Sequence, residues 1–114
     1  MSKRIGKPPA RYLEVRKRHP KLLAAYEEFA RACEQAGPLN KREQRLVKLG
    51  LSFGAQMEGA AHAAVRKGLE AGLQEADLRH AAFLAMSTVG FPNGMKFMAW
   101  IEDVLEPRKS AKKR

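Results

Sequence analysis

Apolar residues recur every three or four positions along almost the whole chain, and no stretch keeps the strict alternation of a half-buried strand. That period admits helices and little else, so the sequence predicts an all-α fold of five to six helices. Glycine and proline mark where one helix gives way to the next. A short first helix is expected over 11–18. Pro20 suits the first turn of a second, which carries Leu22, Leu23, Tyr26, Phe29, Ala30 and Cys33 on one apolar face and stops at Gly37-Pro38. Asn40 and Glu43 have the spacing of a capping box, and the helix they open runs through Leu46, Val47, Leu49, Leu51 and Phe53 to a turn at Gly54. The fourth helix is expected over 56–71 with Gly72 as its left-handed C-cap, and the fifth over 75–89. GFPNG at 90–94 reads as a turn into a last helix that Pro107 ends.

One hydrophobic core is all that 114 residues can build. The organisation expected is a basic arm over 1–19, a helical domain over 20–107 and a basic, disordered tail over 108–114. No apolar run is long enough to cross a membrane, and the basic start leads into no hydrophobic stretch of signal-peptide type, so a soluble cytoplasmic protein is expected. Cys33 is the sole cysteine, which rules out an internal disulfide and a paired redox motif. The formal charge of +10 suggests nucleic acid until it is divided along the chain. Residues 1–21 hold eight Lys/Arg and one acid and residues 108–114 five Lys/Arg and no acid, whereas residues 22–107 hold nine bases and eleven acids. A nucleic-acid fold shows its basic stripe on the folded face. Contacts to a polyanion are therefore expected only from the tails, without specificity.

The segment GAQMEGAAH at 54–62 holds the candidate site. One helical turn separates Glu58 from His62, which puts both on one face, and a carboxylate beside an imidazole is the simplest unit of acid/base chemistry near neutral pH. The small residues around the pair leave room beside it. An ordinary ion pair has the same spacing, so the pair alone does not decide between catalysis and structure. Glu43, one helix earlier, is the third candidate, although capping already accounts for it. His80 is expected on the polar side of the fifth helix and His19 in a linker. The three histidines lack the spacing of a metal motif, and no metal or other cofactor is expected.

Over about Asn40 to Glu106 the chain resembles the carboxymuconolactone decarboxylase and alkylhydroperoxidase-D-like family. The likeness rests on an ordered series: a helix opening with Glu43, a turn at Gly54, His62 in an alanine-rich half-helix, then AGLQEADL and GFP. The peroxidase branch of that family carries a CxxCxxxH pattern whose two cysteines fall here on Ala55 and Glu58, while Glu43 and His62 keep the residue types of its acid-base relay. The decarboxylase branch carries ExxxH, which is what Glu58 and His62 show. The resemblance thus implies Glu58, His62 and Glu43 as catalytic residues, cofactor-independent decarboxylation of a small organic acid or lactone, and a homo-oligomer, a trimer or a hexamer of trimers. No arginine adjoins Glu58 to hold a substrate carboxylate, and Arg42, Arg45 and Arg66 are the nearest in sequence. Two alternatives follow from the same residues: a peroxiredoxin-type antioxidant, for which Cys33 is the only thiol, or a non-enzymatic oligomeric module with polyanion-binding tails.

Overall fold

A computed structural model of the chain describes residues 10–113, with side chains to residue 107. Six helices and no strand make up the described residues: α1 (Ala10–Arg18), α2 (Pro20–Gln35), α3 (Lys41–Gly54), α4 (Glu58–Glu70), α5 (Glu75–Val89) and α6 (Phe91–Lys113). The all-α expectation holds. The extended arm expected before residue 10 lies outside the described residues.

Local signals explain most of the boundaries. Asn40 Oδ1 accepts the Glu43 N–H at 2.8 Å and Glu43 Oε1 accepts the Asn40 N–H at 2.9 Å, closing the capping box that opens α3. Gly72 takes φ +101°, and behind it the Leu73 N–H reaches the Gly68 carbonyl at 2.9 Å, so α4 ends in a Schellman motif. The turn after α3 departs from the sequence reading. Its left-handed residue is Gln56, at φ 61°, and the Met57 N–H bonds the Ser52 carbonyl at 3.0 Å in the same motif. Glu58 is thereby placed at the first position of α4. Pro107 does not end α6 either: its ring keeps φ in the helical range, and the helix continues past it to Lys113 despite the hydrogen bond that its missing N–H cannot make.

The core lies among α3, α4, α5 and α6. Leu49, Phe53, Ala61, Val65, Leu78, Phe97 and Ile101 are fully or almost fully buried in it. Phe53 of α3 and Phe97 of α6 stack with centroids 4.6 Å apart and planes within 2°. The small residues of α4 let it sit deep: Ala61, Ala64 and Gly68 are all buried. α5 and α6 approach closely at Gly94, where an added Cβ would lie 2.1 Å from Met86 Cγ and 3.0 Å from its Cα. Arg79 of α5 ties the same pair together through Glu102 of α6 at 2.9 Å.

Among the described residues the core cluster takes no member from α1 or α2. These two helices form a pair of their own, joined by Arg16 and Tyr12 of α1 to the Glu27 carboxylate of α2. Of the apolar face predicted for α2, Leu23 is buried, while Leu22, Tyr26 and Phe29 are 62%, 59% and 67% exposed. The reading of Cys33 as a core residue is corrected in the same way, since it is exposed. Helical periodicity identified the face, but the body of the fold does not cover it. The end of α2 is fixed to α3 by Glu34, which pairs with Arg45 at 3.2 Å and Lys48 at 3.4 Å.

Candidate functional site

His62 stands one turn into α4 with its ring turned towards α6. Its Nε2 lies 3.0 Å from Oδ2 of Asp103 and 3.8 Å from Oε2 of Glu58. The imidazole is the least exposed of the three side chains, at 19%, against 44% for Asp103 and 56% for Glu58. The shorter contact is a hydrogen bond and the longer one is an electrostatic neighbour only. Asp103, not Glu58, therefore orients the ring. With a carboxylate facing Nε2, the neutral imidazole carries its proton there, which leaves Nδ1 as the nitrogen able to exchange a proton.

Helix geometry and the core place these groups. Asp103 lies between the buried Ile101 and Val104, so packing fixes the rotation of α6 and with it the direction of the carboxylate. Ala61 and Val65, fully buried on α4, do the same for His62. One turn before Asp103, the indole of Trp100 lies 5.5 Å from the ammonium of Lys96, which also contacts the side chain of Gln56 just ahead of α4. The three acid/base side chains each offer one atom within 4.8 Å of the others, one imidazole and two carboxylates, a set of donors whose types also suit a divalent transition metal ion.

The residues expected at the site divide. Glu58 and His62 come together, as the turn of a helix dictates. Glu43 does not join them: it is exposed, it is held in the capping box at the start of α3, and it is no member of the group around His62. Asp103 was absent from the sequence reading, because 41 residues separate it from His62 and no spacing rule links them. Of the arginines, Arg45 pairs with Glu34 and Arg42 with Asp77, while Arg66 lies one turn beyond His62 on α4.

The sequence profile of the carboxymuconolactone decarboxylase family matches residues 20–103. The chain belongs to this family. No curated protein and no solved structure matches it. Membership in the carboxymuconolactone decarboxylase family accounts for the helical architecture, and the matched span takes in Glu43, Glu58, His62 and Asp103 alike. Among the described residues no helix is long and apolar enough to cross a membrane.

This family member also has a cavity of about 450 Å³ between α3 and α5, away from His62. Leu46, Phe53, Ala81, Leu84 and Ala85 are among the apolar residues of its wall. His80, exposed as expected, stands at its polar end beside Arg42 and Asp77. There the Arg42 guanidinium grips both carboxylate oxygens of Asp77, at 3.1 and 2.8 Å, and the Gln74 N–H adds a third bond at 2.8 Å. These donors, the guanidinium first, hold the Asp77 carboxyl at about 2, below its ordinary 3.8.

Proposed function

We propose that this chain is an acid/base catalyst of the decarboxylase branch, acting on a small organic acid or lactone with His62 as its proton donor. The observation that supports this most is the 3.0 Å contact between His62 Nε2 and Asp103 Oδ2, which gives a half-buried imidazole a fixed orientation and a partner for its protonated form. Glu58 adds negative charge on the same side of the ring. Glu43 has the role of a helix cap in this reading.

A carboxylated, conjugated lactone suits such a site. The bond from the ring carbon to the carboxylate breaks, carbon dioxide leaves, and the electron pair of that bond passes into the conjugated lactone carbonyl. The enolate so formed takes a proton on carbon from Nδ1 of the His62 imidazolium, and the neutral ring regains its proton from solvent. The substrate's own carbonyl receives the electrons, so the step calls for no further electron sink. Arg66, one turn along α4 from His62, and Lys96, on α6, are among the cations carried by the two helices that build the site, where no arginine adjoins Glu58.

The test is carbon dioxide release from a panel of small carboxylated lactones and β,γ-unsaturated acids, with the wild type against His62→Gln. The proposal expects turnover of at least one member and a loss of about 100-fold or more in the variant. Turnover that His62→Gln leaves unchanged would remove the histidine from the chemistry, and a panel with no turnover would remove the decarboxylase reading.

A further inference from the structure

We propose that Glu58, His62 and Asp103 together bind a divalent first-row transition-metal ion of the zinc type. The proposal uses the same three side chains as the acid/base reading but does not rest on it.

Charge is the first reason. At four other contacts between side chains of this fold an arginine answers the carboxylate: Arg16 for Glu27, Arg45 for Glu34, Arg42 for Asp77 and Arg79 for Glu102. Glu58 and Asp103 have no such partner, since among the described residues each forms its ion pair with His62 alone. Two carboxylates thus converge on one imidazole, whose single charge, present only when it is protonated, cannot balance both. Glu58 is not committed elsewhere either. It stands at the first position of α4, 3.8 Å from Nε2 and so beyond a hydrogen bond, and its carboxylate accepts none from any other described residue.

Geometry is the second reason. Ligand atoms that share one ion at bonds of about 2.0–2.2 Å stand about 3 Å apart at right angles and about 3.4 Å apart at tetrahedral angles. His62 Nε2 is 3.0 Å from Asp103 Oδ2 and 3.8 Å from Glu58 Oε2, and one atom of each residue lies within 4.8 Å of the others. A small swing of the Glu58 side chain, which its exposure allows, closes the three around one ion. Packing of α4 and α6 already holds the other two. The solvent-facing side of the group leaves the remaining coordination positions to water and gives the ion its way in.

The donor set selects the ion. A nitrogen beside two carboxylates suits zinc and its first-row neighbours, whereas magnesium and calcium prefer oxygen ligands throughout. No spacing in the sequence announces the site, because Asp103 comes from 41 residues away. An ion on Nε2 displaces the proton from that nitrogen, and a ring so bound is not the imidazolium that the proposed decarboxylation uses. The ion would therefore act against that step.

The experiment is calorimetric titration of zinc chloride into the untagged, chelator-stripped full chain, with magnesium chloride as the contrast and far-UV circular dichroism to check that each variant is folded. One equivalent of zinc is expected to bind, and magnesium is not expected to bind over the same range. His62→Gln, Asp103→Asn and Glu58→Gln are each expected to weaken zinc at least about tenfold, since even groups that only orient a metal ligand are worth that much. His80→Gln and Cys33→Ser, which alter the other candidate ligands, are expected to leave the affinity unchanged. In a chain with nitrogen-labelled histidine, zinc is expected to move the Nε2 resonance of His62. No saturable zinc binding, zinc binding indifferent to both carboxylate changes, or zinc binding lost with Cys33→Ser or His80→Gln would each overturn the proposal. The two readings fail separately: a chain that binds zinc and releases no carbon dioxide keeps this proposal and loses the decarboxylase, and turnover without zinc binding does the reverse.

Discussion

The imidazole of His62 and the carboxylate of Asp103 meet at 3.0 Å although 41 residues separate them in the chain. Replacing Asp103 by Asn keeps the size of the side chain but lets an amide N–H₂ face Nε2, which favours the opposite tautomer of the ring. For Asp103→Asn we expect the His62 ring to move from the Nε2–H towards the Nδ1–H form, read from the nitrogen shifts of labelled histidine, with a drop of at least about tenfold in the proposed turnover. An unchanged tautomer together with an unchanged rate would show that Asp103 does not set the ring.

Acid should weaken the fold through Asp77. Its carboxyl sits at about 2 in the folded chain, held there first by Arg42 and then by the Gln74 N–H, against its ordinary 3.8 in the unfolded chain, which therefore binds the proton more readily. The contribution is fully present above the unfolded value and is lost as pH falls from about 4 towards 2. Urea midpoints at pH 5 and pH 2.5 should therefore fall less in Asp77→Asn than in the wild type. Parallel losses in the two proteins would contradict the linkage.

Gly94→Ala reverses the usual rule for a helix. Alanine gains about 1 kcal/mol in intrinsic helix propensity over glycine. Here the new methyl would meet Met86 at 2.1 Å and its backbone Cα at 3.0 Å, so α5 and α6 must separate. A net loss of about 1–3 kcal/mol is expected from denaturant unfolding. A more stable variant would mean that the two helices are not this close.

Phe97→Ala removes one ring of a stacked pair that is closed to solvent, with Phe97 0% and Phe53 1% exposed. The cavity left behind should cost about 3–5 kcal/mol, a large share of the stability of a chain this size. Thermal unfolding measures it, and a loss under about 1 kcal/mol would show that the core can collapse around the gap.

The features legible in the sequence are the ones decided within a few residues. Asn40 and Glu43 satisfy each other across one turn, Gly72 supplies a left-handed residue at no steric cost, and the apolar period follows from helix geometry alone. Glu58 and His62 were readable for the same reason. Asp103 was not, because what brings it to His62 is the packing of α4 and α6 through Ala61, Val65, Ile101 and Val104, and no local pattern encodes a crossing of two helices. Gln56 misled in another way: its positive φ occurs at a residue without glycine's freedom, so the turn falls two positions after Gly54. The face of α2 was correctly located and wrongly buried, since periodicity gives the direction of an apolar face and not the body that covers it.

That α1 and α2 lend nothing to the central cluster has a consequence for how this chain can change over time. Substitutions along α3 to α6 face the constraint of volume and contact in a close-packed interior, where one methylene is felt. Leu22, Tyr26 and Phe29 stand outside that constraint, and a new side chain at any of them is judged by what it meets outside the molecule rather than by whether the molecule folds. Those three positions are therefore free to diversify, while Leu23 and Glu34 of the same helix, one buried and the other paired with Arg45, and the His62 and Asp103 pair stay as they are.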